Sequence, residues 1–465
     1  MLYKYNLEKI KLGNEKNDFL NYLEKMLKKL YKENLIYSDK IIYQGKPSLV
    51  IQLGKKDKIH VEVLIIAHKT LHVNVIPLKK VDKDTVQKIV DVIETLAQAY
   101  RRKSAIYYIY VQGEKIRPSK FKLVIGKFTD LAFSNNMALL FAFSMVLFSI
   151  IYSFLGSIYT PPIVLFILFA FQFFSYKIPS IVCDWSISSA RKNVFIVGFF
   201  MSLEEYNRLL KKGLLKSSEI IYELKESIYN LVIKEKKRDI VKVLSDLYNV
   251  ALNEDNILIR KMNLFNSVKE ISSKMNMFPP RVFLKKSLDL DAAALGFYRS
   301  FTALMLTAGL LIELNEEEIK AVLAHEISHI KHKDALILYL LTALSYLIQI
   351  YLFYVKIPIL LALIVRITTI LVFLTIFFFV AKVIEIRADL DAAIIANSLN
   401  LASALEKITS TRTDETRIRL RDWILWTPHP PLNYRIHLLR KQLIEKSGWI
   451  RAFEYCLKGL IGSIV

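Results

Sequence analysis

Residues 315–334 read NEEEIKAVLAHEISHIKHKD, and the spacing within them predicts a helix on its own terms. Asn315 stands where an N-cap belongs, with Glu318 three residues on as in a capping box. The acidic run Glu316–Glu318 suits the positive end of a helix dipole. Ile319, Val322, Leu323, Ile327 and Ile330 form one apolar stripe. On that helix His325 and His329 are four residues apart, so their rings lie one turn apart on one face. That spacing lets both imidazoles reach a single tetrahedral Zn²⁺ at about 2.0–2.1 Å. Glu326 directly follows the first histidine, so its carboxylate flanks the metal without binding it and can take a proton from attacking water. His332 shares the face and reads as an ordinary residue near the site, not as a ligand.

A catalytic zinc needs a third protein donor and one open position. The candidate is Glu385 in Glu385-Ile386-Arg387-Ala388-Asp389, a few residues past an apolar run ending at Ala381. If the helix continues through that point, Asp389 lies at i+4 on the face of Glu385. It is placed to accept the free N–H of a ligand histidine and fix that ring. Ala388, Ala392 and Ala393 permit close helix packing.

The chain has 465 residues, is 53% hydrophobic and 23% charged, and has a mean hydropathy of +0.32. The apolar residues are concentrated. Four runs, 137–159, 161–176, 335–355 and 358–381, read as membrane spans arranged in two hairpins. Thr160-Pro161-Pro162 separates the first pair, and Lys356, Ile357 and Pro358 the second. Two short-looped hairpins leave three long regions, 1–136, 177–334 and 382–465, on one side. All of the 65 Lys and Arg except Lys356 and Arg366 fall there, and Lys177, Arg191, Lys192, Lys331, Lys333, Lys382 and Arg387 lie near the spans. The positive-inside rule makes that side, with both termini, cytoplasmic in a multi-pass cell-membrane protein. Asp334 ends the histidine helix just before the second hairpin, and Glu385 follows it. Both halves of the metal site therefore arrive at the same membrane face. Arg366 reads as a residue snorkelling to the interface.

The net charge of +22 admits an anionic membrane surface or nucleic acid as partner. The lysines are spread through the soluble part without a nucleic-acid-binding motif, so the reading is membrane lipid and no nucleic acid. Cys183 and Cys456 are too few and too far apart for a disulfide framework. No secretory signal is expected at the N-terminus. Residues 1–125 read as an accessory α+β domain. It has helices at Asp18–Glu33 and Asp82–Tyr100, strands at Ser48–Leu53, Ile59–Ala67 and Leu71–Leu78, and a last strand at Ala105–Gln112. His60, His68 and His72 read as ordinary strand and turn residues. Residues 183–275 carry mostly amphipathic helix pattern, followed by short strands at Arg281–Lys285 and Ala292–Phe297.

HEISHIKHKD (325–334), EIRADLDAA (385–393), HPPLNYRIHLL (429–439) and the segment 291–326 together resemble the membrane peptidase family of HtpX and the type 1 CAAX prenyl proteases. The resemblance covers roughly residues 280–440. It implies one zinc per chain held by His325, His329 and Glu385, with Glu326 as general base and Asp389 in support. It implies that His429 and Arg435 reach the site, to hold an oxyanion or orient Glu385. It also implies an edge strand that aligns the substrate backbone, where this chain has Asp291 in place of the usual Asn. The expected fold is a mainly α membrane protein. Four transmembrane helices carry a zincin-like α+β catalytic domain, from 177–334 and 382–465, beside the N-terminal α+β domain. The expected function is hydrolysis of peptide bonds in membrane or misfolded proteins. CAAX-type processing is the first alternative, and a catalytically inert membrane adaptor binding a partner through residues 1–125 is the second.

Overall fold

The computed structural model describes residues 3–11, 16–31, 34–55, 58–68, 70–79, 83–103, 105–114, 137–201, 203–215, 218–298, 300–355, 358–410, 423, 427–441 and 447–462. Two compact units emerge, one from 1–110, 115–118 and 195–261, the other from 111–114, 119–194 and 262–465.

The first unit begins with strand β1 (Tyr3–Lys11), helix α1 (Lys16–Leu30), strands β2 (Leu35–Tyr43), β3 (Lys46–Lys55), β4 (Lys58–Ala67) and β5 (Thr70–Pro77), and helix α2 (Lys83–Lys103). The strands make one sheet in the order β1-β5-β4-β3-β2, antiparallel throughout. Alternate residues Leu49 and Ile51, Val63 and Ile65, Val73 and Val75 point to one face, as a pleated strand dictates. They bury Phe19, Leu23 and Leu27 of α1 and Val86, Val90 and Ile93 of α2. The expected helices and central strands are present, and β1 and β2 are additions.

Strand β6 (Ala105–Val111), expected to finish this sheet, does not. β1 already occupies the free edge of β5, and β6 joins β8 (Asn193–Phe200) and β9 (Ile257–Asn263) in a second sheet ordered β6-β8-β9. Gly198 permits that approach, because a Cβ there would come within 2.8 Å of the Tyr107 ring. Helices α5 (Leu203–Lys211), α6 (Ser218–Ile233) and α7 (Lys237–Tyr248) share a core with Tyr108, Tyr110, Phe195, Val197 and Phe199. The stretch 183–275, read as mostly helical, thus contains three strands: β8 and β9 here, and β7 (Trp185–Ile187). The run VFIVGFF is a short, continuously apolar segment that periodicity alone cannot assign.

The second unit carries the apolar helices. Helix α3 (Met137–Phe174) is broken at Gly156 (φ 70°, ψ −175°) and not at the expected Thr160-Pro161-Pro162; both prolines lie inside the half that follows the break. A short helix α4 (Ile178–Val182) follows. Helices α11 (Asp334–Tyr354) and α12 (Ile359–Ala396) form the second hairpin. Among the described residues three stretches are long and apolar enough to cross a membrane: Tyr159–Val182, Asp334–Leu352 and Ile359–Ala396. The remaining expected span, 137–159, is helical apart from the break, but most of its side chains fall outside the described residues.

A four-stranded sheet ordered β11-β12-β10-β7 completes the unit, from β7 (Trp185–Ile187), β10 (Arg281–Lys285), β11 (Ala292–Tyr298) and β12 (Phe301–Thr307). β10 and β12 are parallel and β11 is an antiparallel edge. At Gly296 (φ +83°) a Cβ would sit 2.1 Å from the Phe301 carbonyl oxygen, so the β11–β12 hairpin requires glycine there. Helices α8 (Leu264–Lys274), α9 (Ala308–Glu313) and α10 (Glu316–His332) pack beside this sheet. They are followed beyond the hairpin by α13 (Ser398–Ser410), α14 (Leu432–Lys441) and α15 (Trp449–Gly462).

Candidate metal centre

Helix α10 opens with the expected reciprocal cap. Glu318 N–H donates to Asn315 Oδ1, and Asn315 N–H donates to Glu318 Oε2. Glu318 is almost fully buried and also accepts from Ser403 Oγ and Lys407 Nζ of α13. Burial raises its pKa, but Lys407, Ser403 and the Asn315 amide outweigh that and hold it below the ordinary carboxylate value. The cap therefore fixes both the start of α10 and its neighbour.

Helix α12 at 1.5 Å per residue is nearly twice as long as the hydrocarbon core is thick. Its first half is largely exposed, whereas Ala381 to Ala393 is continuously buried. The helix therefore leaves its apolar span and runs on against α10, bringing Glu385 to the two histidines. His325 Nε2 and His329 Nε2 are 3.2 Å apart, and Glu385 oxygens lie 3.5 Å and 3.6 Å from them. Donors around a tetrahedral ion at 2.0–2.1 Å stand about 3.3 Å from one another. These three are the group of potential metal ligands among the described residues. Glu385 Oε2 is buried with no hydrogen-bond donor in line, although His429 Nδ1 stands 3.1 Å away and Arg435 Nη1 3.3 Å away. The donor set therefore fits a divalent cation on spacing and on ligand chemistry.

Each histidine is backed by an aspartate, and each aspartate by an arginine. His325 Nδ1 lies 3.0 Å from Asp389 Oδ1. Asp389 accepts from Arg435 Nε and Nη2, both at 2.7 Å. His329 Nδ1 lies 2.8 Å from Asp334 Oδ2, and Arg387 grips Asp334 through Nη1 at 2.8 Å and Nη2 at 2.6 Å. Lys333, with φ +56°, closes α10 and turns the chain so that Asp334 reaches back to His329. Arg387, fully buried, also packs over the Trp449 ring at 4.6 Å.

The electrostatics agree with the geometry. Burial disfavours the charged form of His325, but Asp389 and Glu385 outweigh it and push its pKa up to about 10. Burial pushes Glu385 up, yet His429, followed by His325 and Arg435, holds it well below the usual carboxylate range. Asp389 is held low against its burial by Arg435 and His325, and Asp334 likewise by His329 and Arg387. The negative field that keeps a proton on His325 equally favours a cation between the three donors.

The remaining sequence candidates are placed as follows. Glu326 is half-buried, next to His325 on α10, and its charge acts on Arg435. His429 is 57% exposed, at the mouth of the site. Asp291 is exposed at the start of edge strand β11. Its backbone is tied to Thr307, whose N–H donates to the Asp291 carbonyl and whose Oγ1 accepts from the Asp291 amide. His332, read as an ordinary neighbour, meets Asp391 at 3.0 Å, and Ser328 Oγ donates to the same carboxylate oxygen at 2.6 Å. The Asp334–Arg387 support was not read from the sequence.

A two-histidine helix, a carboxylate donor returned by an apolar hairpin and an aspartate behind each imidazole are the marks of a membrane metallopeptidase. Residues 259–443 match the family model described as Peptidase family M48, a metallopeptidase family. The resemblance read from the motifs therefore stands. The chain is 32% identical over 96 residues to a protein described as "Protease HtpX homolog" from Burkholderia cenocepacia, covering 21% of this chain and 33% of that one. It is 37% identical over 73 residues to the "Protease HtpX homolog" of Burkholderia thailandensis, covering 16% and 26%. The match thus spans about a third or less of the length of these curated relatives. A solved structure, S. mikatae Ste24p, matches with 18% identity and a TM-score of 0.30 over 51% of this chain and 69% of that chain.

Proposed function

We propose that this chain is a membrane-anchored, zinc-dependent endopeptidase that cuts membrane or misfolded proteins at the cytoplasmic face. The observation that carries the reading is the convergence of His325, His329 and Glu385 within one coordination sphere, with Asp389 and Asp334 behind the imidazoles. When bound, zinc supplies Lewis acidity, which polarises the scissile carbonyl and makes water more acidic.

The chain's own residues do the rest. Glu326 accepts a proton from the water as its oxygen bonds to the carbonyl carbon. It returns that proton to the leaving amine nitrogen as the C–N bond breaks. Arg435 is committed to Asp389 and Glu385, so it orients the third donor and is not available to the substrate. His429, exposed at the mouth, is placed to donate to the developing oxyanion. β11 offers an edge to which an extended substrate backbone adds as a strand, with Asp291 at its beginning.

The test is metal content and proteolysis measured together on wild type, Glu326→Gln and Glu385→Ala. Zinc retained with cleavage lost in the first variant, and both lost in the second, is the expected pattern. Cleavage retained in Glu326→Gln removes that residue from the mechanism. An inactive wild type that binds zinc leaves the adaptor reading in its place.

A further inference from the structure

Helix α15 has three faces. Ala452, Cys456 and Gly459 are buried against the rest of the second unit. Arg451, Glu454 and Lys458 form a polar strip. The third face carries Ile450, Phe453, Leu457 and Ile461, spaced three to four residues apart as one stripe of a helix requires. Ile450 is 79% exposed, Ile461 56% and Phe453 46%, with Leu457 half-buried between them. Exposed apolar side chains grouped on one helix face mark a contact surface.

The position of the stripe names that occupant. The Phe453 ring packs edge-on against Phe379 of α12, 5.7 Å between centroids. Phe379 sits at the end of the exposed apolar half of α12, one turn from Ile376 and two from Val372, which are themselves open. The stripe on α15 is therefore continuous with the surface that α12 presents to lipid.

We infer that α15 lies in the membrane interface, with Ile450, Phe453, Leu457 and Ile461 entering the acyl boundary of the leaflet its own hairpin crosses. An amphipathic helix lying in the headgroup plane is held by its buried apolar area, and flanking Arg451 and Lys458 reach the headgroups. The helix bears on the metal centre from its other side, since Trp449 covers Arg387, which grips Asp334 behind His329. The leaflet thus becomes part of the packing that supports the second histidine. This inference rests on the reading that α12 crosses the bilayer.

The test is spin-label accessibility on the full chain, reconstituted in vesicles of phosphatidylcholine and phosphatidylglycerol. Both native cysteines are buried, so a label goes to cysteines introduced singly as Val372→Cys, Ile450→Cys, Ile461→Cys, Arg451→Cys and Lys458→Cys. Labels at 450 and 461 are expected to match that at 372, favouring oxygen over a water-soluble nickel chelate severalfold. Labels at 451 and 458 are expected to show the reverse. If 450 and 461 are as open to nickel as 451 while 372 is lipid-exposed, the inference fails and the spanning reading survives. If 372 is itself open to nickel, both fail. Dipolar broadening between labels at 461 that spin dilution removes gives the face to a second copy and also overturns the inference.

Discussion

Asp334 is the residue whose removal best separates support from ligation. It touches no metal position, yet it fixes the His329 ring and is itself fixed by Arg387. Asp334→Asn is expected to lower zinc affinity by about 10–100-fold with the protein still folded. Equilibrium competition against a zinc chelator measures it, and an unchanged affinity would show that His329 needs no orienting partner. Glu326→Gln is expected to leave zinc affinity nearly intact and to lower cleavage by about 10²–10⁴-fold. The two variants thus move opposite halves of the same assay. The donors were legible in the sequence because His325 and His329 obey a one-turn spacing and Glu385 follows a helix that has every reason to continue. Asp389 was legible for the same reason, at i+4 from Glu385. Asp334 and Arg387 were not, because their pairing spans the whole apolar hairpin and no local periodicity reports it. Arg387 looked like one more cytoplasmic charge, although it is among the most completely buried side chains of the described residues.

Among elements, the start of α10 makes a pH-dependent prediction. Glu318 has a folded pKa below the ordinary 4.5, so its contribution is fully present above that value and is lost as pH falls through the folded pKa. Glu318→Gln is expected to destabilise by about 2 kcal/mol at neutral pH, the scale of charge-assisted hydrogen bonds. The gap from wild type should narrow below about pH 4.5, as read by thermal melting across pH. A gap that widens on acidification contradicts the sign. At the β11–β12 hairpin, Gly296→Ala forces a carbon into the Phe301 carbonyl and requires a backbone shift. Faster limited proteolysis of that hairpin is the expected readout. Helices with strong periodicity were readable from residue order, as were the central strands β3, β4 and β5. β2 was not, since most of its residues stay exposed and show no clean alternation. β1 is polar and takes its place by pairing with β5, a partner distant in the chain, Tyr3 lying beside Val75 and Lys11 beside Thr70.

For the molecule as a whole, a cation that bridges α10 and α12 binds the folded chain and not the unfolded one. A metal present at a thousandfold its dissociation constant then adds about 4 kcal/mol of stability. Chelation is expected to lower the melting temperature reversibly, with recovery on adding zinc. An unchanged melting curve despite verified metal loss would separate the donors from the stability of the fold. The N-terminal core closes on itself within residues 3–100. A fragment covering 1–103 is therefore expected to unfold cooperatively by circular dichroism, and a featureless melt would show that it needs the rest of the unit.

In chain order the two imidazoles and the carboxylate are separated by the whole apolar hairpin of α11 and the first half of α12. A chain whose hairpin has not yet folded back holds half of the cluster: two rings with no carboxylate beside them. The three donors come within reach of one ion only once α12 has returned to lie against α10.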